Sequence, residues 1–341
     1  MPFKTKITPY TLIFKRPAGT SRGTYRERKI WILEIFDKNN PEHIGRGECA
    51  PLPDLSCDYS AEYEKVLTEF CAEFEKTGKI DFERWRNYSS LLFGFETAIL
   101  HYESNSYKLW DTPFTCGAKG IDINGLIWMG DYEDMFQQVE NKINTGFNCI
   151  KIKIGAIGFE DELRLLRYIR TNFTDKDLII RLDANGSFPA AEALDKLKRL
   201  SDFDIHSIEQ PIQAGHWDEM AKLCDTSPIP VALDEDLIGI NDFSTKKELM
   251  KVIHPQYIII KPSLHGGIFG GNEWIQIAES EHVGWWITSA LESNIGLNCI
   301  SQWCATFDNP LHQGLGTGAL YHNNFEFPLH IENGKLWCNF L

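Results

Sequence analysis

IKIKIG at residues 150–155, RLDANG at 181–186, SIEQP at 207–211, ALDED at 232–236 and IIIKP at 258–262 share one plan. Each is a short apolar, β-branched run that ends in charge. The next begins about 25 to 30 residues later, the length of one strand and a returning helix. In parallel strands joined by helical crossovers, every carboxyl end lies on the same face. Lys151, Lys153, Asp183, Glu209, Asp234 and Lys261 are therefore expected on one rim. Three acids and three lysines gathered there make a chemical site rather than a solvated surface.

Outward from this stretch the same alternation continues. Strands are expected near 121–127, 149–154, 178–183, 205–210, 230–235, 257–262, 285–290 and 312–316, with helices between them. The expected fold class is α/β, a (β/α)7β TIM-like barrel with an α+β N-terminal capping domain. A doubly wound open sheet is the alternative, weakened by the lack of GxGxxG after the first strand. The expected domains are 1–115 for the cap and 116–324 for the barrel, with a tail, 325–341, returning to the cap. Within the cap, alternation at 3–14 and 30–36 predicts a hairpin. The basic loop between them carries Arg16, Arg22, Arg26 and Arg28, and reads either as a solvated tip or as a lid that meets an anion. GRGECAPLP at 45–53 ends a third strand, with Glu48 in a structural role, and helices follow at 60–77 and 88–105.

Of the 341 residues, 43% are hydrophobic and 24% charged, which implies a large packed core. A formal charge of −14 argues against nucleic acid and anionic membranes as partners. A small-molecule carboxylate substrate is expected instead. The nine cysteines lack a CxxC pair and are odd in number, which suggests reduced thiols in a cytoplasmic protein. No signal peptide and no apolar run long enough to cross a bilayer stand out. The sequence sets no oligomeric state.

Asp183, Glu209 and Asp234 are hard oxygen donors on successive strand ends, a set suited to Mg²⁺, with Mn²⁺ as the alternative. Without a cation they would repel one another and at least one pKa would rise. Lys153 and Lys261 should flank this triad. Crowding by a cation would lower a lysine pKa toward that of a useful base. Trp285 and Trp286 read as barrel packing. His206, His265 and His312 lack a neighbouring acid that would mark a base, although His265 follows Lys261 closely and could line the pocket. HGGIFGG at 265–271 reads as a loop opening a helix.

KIKIG, LDANG, IEQP, LDED, IIIKP and SALES, together with GRGECAPLP and FGFETAI, resemble the enolase superfamily, in particular its muconate-lactonizing-enzyme-like branch. The resemblance implies that Asp183, Glu209 and Asp234 bind Mg²⁺. It also implies that Lys153 and Lys261 are the paired acid/base residues, with Lys151 assisting, in proton abstraction α to a carboxylate through an enediolate. The run Ser289, Ala290, Leu291, Glu292, Ser293, Asn294 is similar to that of the branch's water-eliminating group. GLGTG at 314–318 stands where dipeptide epimerases carry an acidic DxD. The implied reaction is loss of water from a succinyl-bearing hydroxycyclohexadiene carboxylate in menaquinone synthesis. Asn185, Ser289, Leu291, Glu292 and Gly316 are the expected substrate contacts, with Arg22 and Arg26 at the succinyl end. A dipeptide epimerase or N-acylamino-acid racemase is the rival enzyme. A non-catalytic metabolite-binding barrel is disfavoured, because every expected ligand and base type is present.

Overall fold

The computed structural model describes residues 3–20, 23–155 and 157–340. An antiparallel sheet opens the chain, with β1 (Phe3–Thr20), β2 (Gly23–Asp37) and β3 (Asn40–Cys49) in sequential order. Three helices follow, α1 (Tyr63–Thr77), α2 (Phe82–Trp85) and α3 (Ser89–Ser104). Trp31, Leu33 and Ile35 of β2 pack on Phe70, Phe74 and Phe95 to form the cap's own core. The glycines of GRGEC let α3 lie directly on β3: a Cβ on Gly47 would stand 1.9 Å from the Gly94 carbonyl oxygen, and one on Gly45 would stand 2.1 Å from that of Ala98.

The hairpin corrects one expectation. Residues 15–20 and 23–29 are strand rather than a basic loop, because the β1–β2 ladder, interrupted by a bulge after Ile13, resumes at Ala18 opposite Tyr25. Alternation carries through β2, so Arg28, Ile30 and Ile32 share one buried face.

Next come β4 (Ile121–Asp122), β5 (Gly125–Ile127), α4 (Tyr132–Asn144), β6 (Cys149–Lys153), α5 (Phe159–Asn172), β7 (Ile179–Asp183), α6 (Ala190–Leu200) and β8 (Ile205–Glu209). They are followed by α7 (Trp217–Thr226), β9 (Val231–Leu233), α8 (Phe243–Ile253), β10 (Tyr257–Ile260), α9 (Gly267–Ser280), β11 (Gly284–Ile287) and α10 (Asn294–Cys304). Strands β5 to β11 form one parallel sheet in chain order. Polar residues start the helices: Asp131 accepts the Asp134 N–H at 2.9 Å, and Asp242 accepts that of Thr245 at 3.0 Å. Outward-facing Ile150, Ile180, Leu182, Ile208 and Ile258 pack against helices, while Ala232, Ile259 and Trp286 fill the barrel floor.

The expected eighth strand is reduced to two bridges. Gln313 pairs with Ile123, and Gly314 pairs with Thr288. The segment still bonds on both sides: Gln313 N–H donates to Asp122 O at 2.8 Å, and Gly314 N–H donates to Ile287 O at 2.8 Å. Three glycines in GLGTG shorten the ladder. The expected strand 121–127 is likewise split. β4 pairs with the tail strand β13 (Lys335–Cys338), which pairs in turn with β12 (Leu329–Glu332), and only β5 joins the barrel.

Two carboxylates of the cap are set at helix N-termini of the barrel. Glu48 accepts from Ser293 N–H at 2.8 Å and Gly296 N–H at 3.0 Å at the start of α10. Glu96 accepts from Ile268 N–H at 2.6 Å and Phe269 N–H at 2.8 Å at the start of α9.

Candidate active site

Register brings the charged strand ends together. Lys153 stands opposite Asp183 across β6 and β7, and Asp183 stands opposite Glu209 across β7 and β8. Lys151 Nζ lies 2.9 Å from Asp183 and 2.6 Å from Glu209. Lys153 Nζ lies 2.9 Å from Asp183 and donates to Asn185 Oδ1 at 2.7 Å. Lys261 Nζ lies 2.5 Å from Asp234. All three lysines and all three acids are buried. Asn185 and Gln210, just past the strand ends, take left-handed φ of 44° and 40°. For glutamine this conformation is uncommon and needs local support. Gln210 helps to hold it, donating to Asp236 Oδ2 at 2.7 Å and accepting from the N–H groups of Asp234 and Asp236.

The three carboxylates do not form the ready-made cluster that the sequence suggests. Among the described residues, no three His, Cys, Asp or Glu side chains are gathered as a metal centre. The ammonium groups lie against the carboxylates instead. Glu235 adds a fourth acid to three lysines, and the negative excess raises carboxyl pKa values. Burial, then the charge of Asp183, pushes Glu209 up to about 8; burial, then Asp234 and Asp183, pushes Glu235 up to about 7. Burial opposes the charged form of Lys151 and Lys261, but their carboxylate neighbours outweigh it and hold both above the ordinary lysine value. Asp234 Oδ1 and Glu235 Oε2 are buried with no hydrogen-bond partner among the described residues.

The charges open into a cavity of about 180 Å³. Asn185, Ser289, Leu291 and Gly316 all line it, and Leu291 is held at φ 64°. Glu292 does not line it: its carboxylate turns into the protein, where it accepts from Ser263 Oγ and from Ala290 N–H, and so shapes the loop that presents Leu291. Arg26 is exposed and lies outside the cavity wall. Arg22 lies outside the described residues. His265 is buried away from the cavity; its Nδ1 accepts the Lys261 N–H at 3.0 Å, and burial lowers its pKa to about 3. Trp286 packs in the floor under Arg181, whose guanidinium lies 3.9 Å from the ring centroid.

Some functional neighbours were not singled out in the sequence. Tyr25, Leu52 and Leu55 of the cap complete the cavity, and Tyr25 donates to Asp54 Oδ2 at 2.6 Å. Arg28 donates to the carbonyl oxygens of Ala50 and Ala290, which joins the cap to the loop after β11. Its alternation with Ile30 and Ile32 is the sequence signal that could have revealed it.

A capped parallel barrel with lysines and carboxylates on successive strand ends defines the class. The Enolase C-terminal domain-like family matches residues 134–339, and the chain belongs to that family. Over 95% of its length the chain is 42% identical to the o-succinylbenzoate synthase of Desulfotalea psychrophila, covering 96% of that protein. The crystal structure of MenC from the same organism superposes with a TM-score of 0.85, at 37% identity over 99% of this chain and 100% of that one. A dipeptide epimerase from Enterococcus faecalis shares the fold, with a TM-score of 0.84 at 19% identity over 99% and 98% of the two chains.

Proposed function

We propose that the chain is an o-succinylbenzoate synthase, which removes water from 2-succinyl-6-hydroxy-2,4-cyclohexadiene-1-carboxylate to give 2-succinylbenzoate for menaquinone biosynthesis. The wall built after β11 and around Gly314 carries this choice. Ser289, Leu291, Gly316 and Thr317 line it without an acid, so the ammonium group of a dipeptide finds no counter-charge there. The 42% identity to the Desulfotalea synthase supports the same reading.

Asp183, Glu209 and Asp234 are the residues that would hold Mg²⁺. Their hard oxygen donors, the carboxylate excess and the unpartnered Asp234 Oδ1 fit a small divalent cation. When bound, the ion supplies positive charge for the substrate's ring carboxylate. Lys153, as the free amine, takes the proton from the carbon bearing that carboxylate. The C–H electron pair becomes a ring double bond as the C–OH bond breaks, and the Lys153 ammonium returns its proton to the departing hydroxyl. Water leaves, and the lysine is again an amine. Asn185 orients Lys153 through the 2.7 Å hydrogen bond. Lys261 stays cationic and stabilises the charge that builds on the carboxylate, and Lys151 fixes Asp183 and Glu209. The nine free thiols, seven of them buried, support a reducing cytoplasm. Among the described residues no helix is long and apolar enough to cross a membrane.

Loss of the diene absorbance, measured with purified protein and Mg²⁺, tests the reading. Turnover is expected to stop with chelator and to fall about 10²- to 10⁴-fold in Lys153→Ala. No turnover by the intact protein with Mg²⁺ overturns it; solvent deuterium entering a dipeptide α-carbon would then identify an epimerase.

A further inference from the structure

The substrate named above carries two carboxylates, and the carboxylate-rich rim provides for one of them. A second cavity, of about 700 Å³, adjoins the catalytic one, and Leu126, Trp128, Lys142 and Leu320 line both. Lys15 and Arg16 of the hairpin also face the second cavity. The acids in its wall are already engaged: Asp134 accepts from Gln138 at 2.9 Å, and Glu140 accepts from Tyr168 at 2.8 Å.

Lys142 differs from the other lysines of the catalytic cavity. Lys151, Lys153 and Lys261 are each paired with a carboxylate, whereas Lys142 has no carboxylate partner among the described residues. Its stem is fixed against β5, where Gly125 makes room for it; a Cβ there would lie 2.9 Å from Lys142 Cδ and 3.1 Å from Cγ. Its ammonium stands 4.8 Å from the Phe147 ring centroid. Burial lowers its pKa from the ordinary lysine value, as expected of a partly desolvated cation without a counter-ion. An anion arriving at this point would compensate that loss of solvent.

We propose that Lys142 is the specificity-determining cation for the distal carboxylate of the succinyl chain, held where the two cavities join. This rests on the dehydration reading. The test compares intact protein, Lys142→Met, which keeps the stem, and Lys142→Arg, which keeps the charge, all with Mg²⁺. Calorimetry measures binding of 2-succinylbenzoate and of its analogue with the distal carboxylate converted to an amide, and steady-state kinetics uses the diene. Lys142→Met is expected to weaken 2-succinylbenzoate binding and to raise KM by about 10- to 100-fold, with kcat within about threefold. The amide should bind both proteins alike, and Lys142→Arg should restore most of the affinity. Loss of less than about twofold, or an equal loss for the amide, overturns the proposal while turnover by the intact protein leaves the dehydration reading standing. An intact protein that neither binds the product nor consumes the diene overturns both.

Discussion

Asp234 places one carboxylate oxygen 2.5 Å from Lys261 Nζ and leaves the other buried without a partner among the described residues. An orphaned acceptor of this kind costs about 1–3 kcal/mol, more when charged. A cation that binds here therefore stabilises the folded state directly. Mg²⁺ at about one hundred times its Kd is expected to add about 2.7 kcal/mol, read as a rise in Tm. Asp234→Asn should remove most of that rise, because the amide presents one oxygen and no charge. An unchanged Mg²⁺ response in the variant would show that Asp234 is no ligand. Gln210, next to Glu209, has the same importance at this scale. It bonds Asp236 and the backbone of the Asp234 loop from a left-handed φ of 40°, and its role is invisible in the motif SIEQP alone.

At the scale of elements, α3 is the piece on which the cap turns. It lies on β3 across paired glycines, sends Glu96 to the N-terminus of α9 and buries His101. His101 Nδ1 accepts the Arg46 N–H at 2.9 Å, and its ring stacks on Tyr107 at 4.0 Å. Burial, then the charge of Arg46, lowers its pKa from 6.5 to about 4. The sign follows from that depression: the neutral imidazole contributes its full stability above about pH 6.5, and the contribution is lost as pH falls toward 4. The stability difference between intact protein and His101→Gln should therefore be largest near pH 7 and shrink by about 2 kcal/mol at pH 4.5. Urea unfolding at the two pH values measures it; a difference that does not change with pH would mean that the fold leaves the His101 pKa where it stands in the unfolded chain.

Across the whole molecule, the barrel closes through little more than Gln313 and Gly314. The backbone of Gln313 bonds Asp122, its Oε1 accepts the Ile287 N–H at 2.8 Å and its Nε2 donates to Leu311 O at 2.6 Å. One side chain thus completes the seam between the two ends of the sheet. Gln313→Ala leaves a buried N–H and a carbonyl without partners and should destabilise the protein by about 2–4 kcal/mol. Hydrogen exchange should speed up first at Asn124 and Gly314. Uniform loss of protection would show instead that the seam does not open on its own. The cap adds a second closure, since Arg86 bonds both oxygens of Glu273 at 2.8 and 3.0 Å, and Glu273 also accepts from the buried Lys246 at 2.9 Å.

The strand ends from Lys151 to Lys261 were legible because each combines a β-branched run with a terminal charge at a regular spacing, and parallel topology then leaves one rim for all of them. Ser289, Leu291 and Gly316 came instead from the family resemblance of the runs at 289–294 and 314–318. The hairpin misled, since the composition of residues 16–28 resembles a mobile loop while long-range pairing makes it strand. Glu292 misled for a related reason: a charged residue in a site loop can serve the backbone rather than the ligand, and only its bonds to Ser263 and Ala290 show which. Sequence by itself determined the barrel, its acids and its lysines. The tertiary structure alone decided that ammonium groups stand among the carboxylates, that Arg28 rather than Arg26 faces inward, and that Lys142 has no carboxylate partner among the described residues. Those outcomes depend on burial and on distances between segments far apart in the chain, which no local pattern encodes.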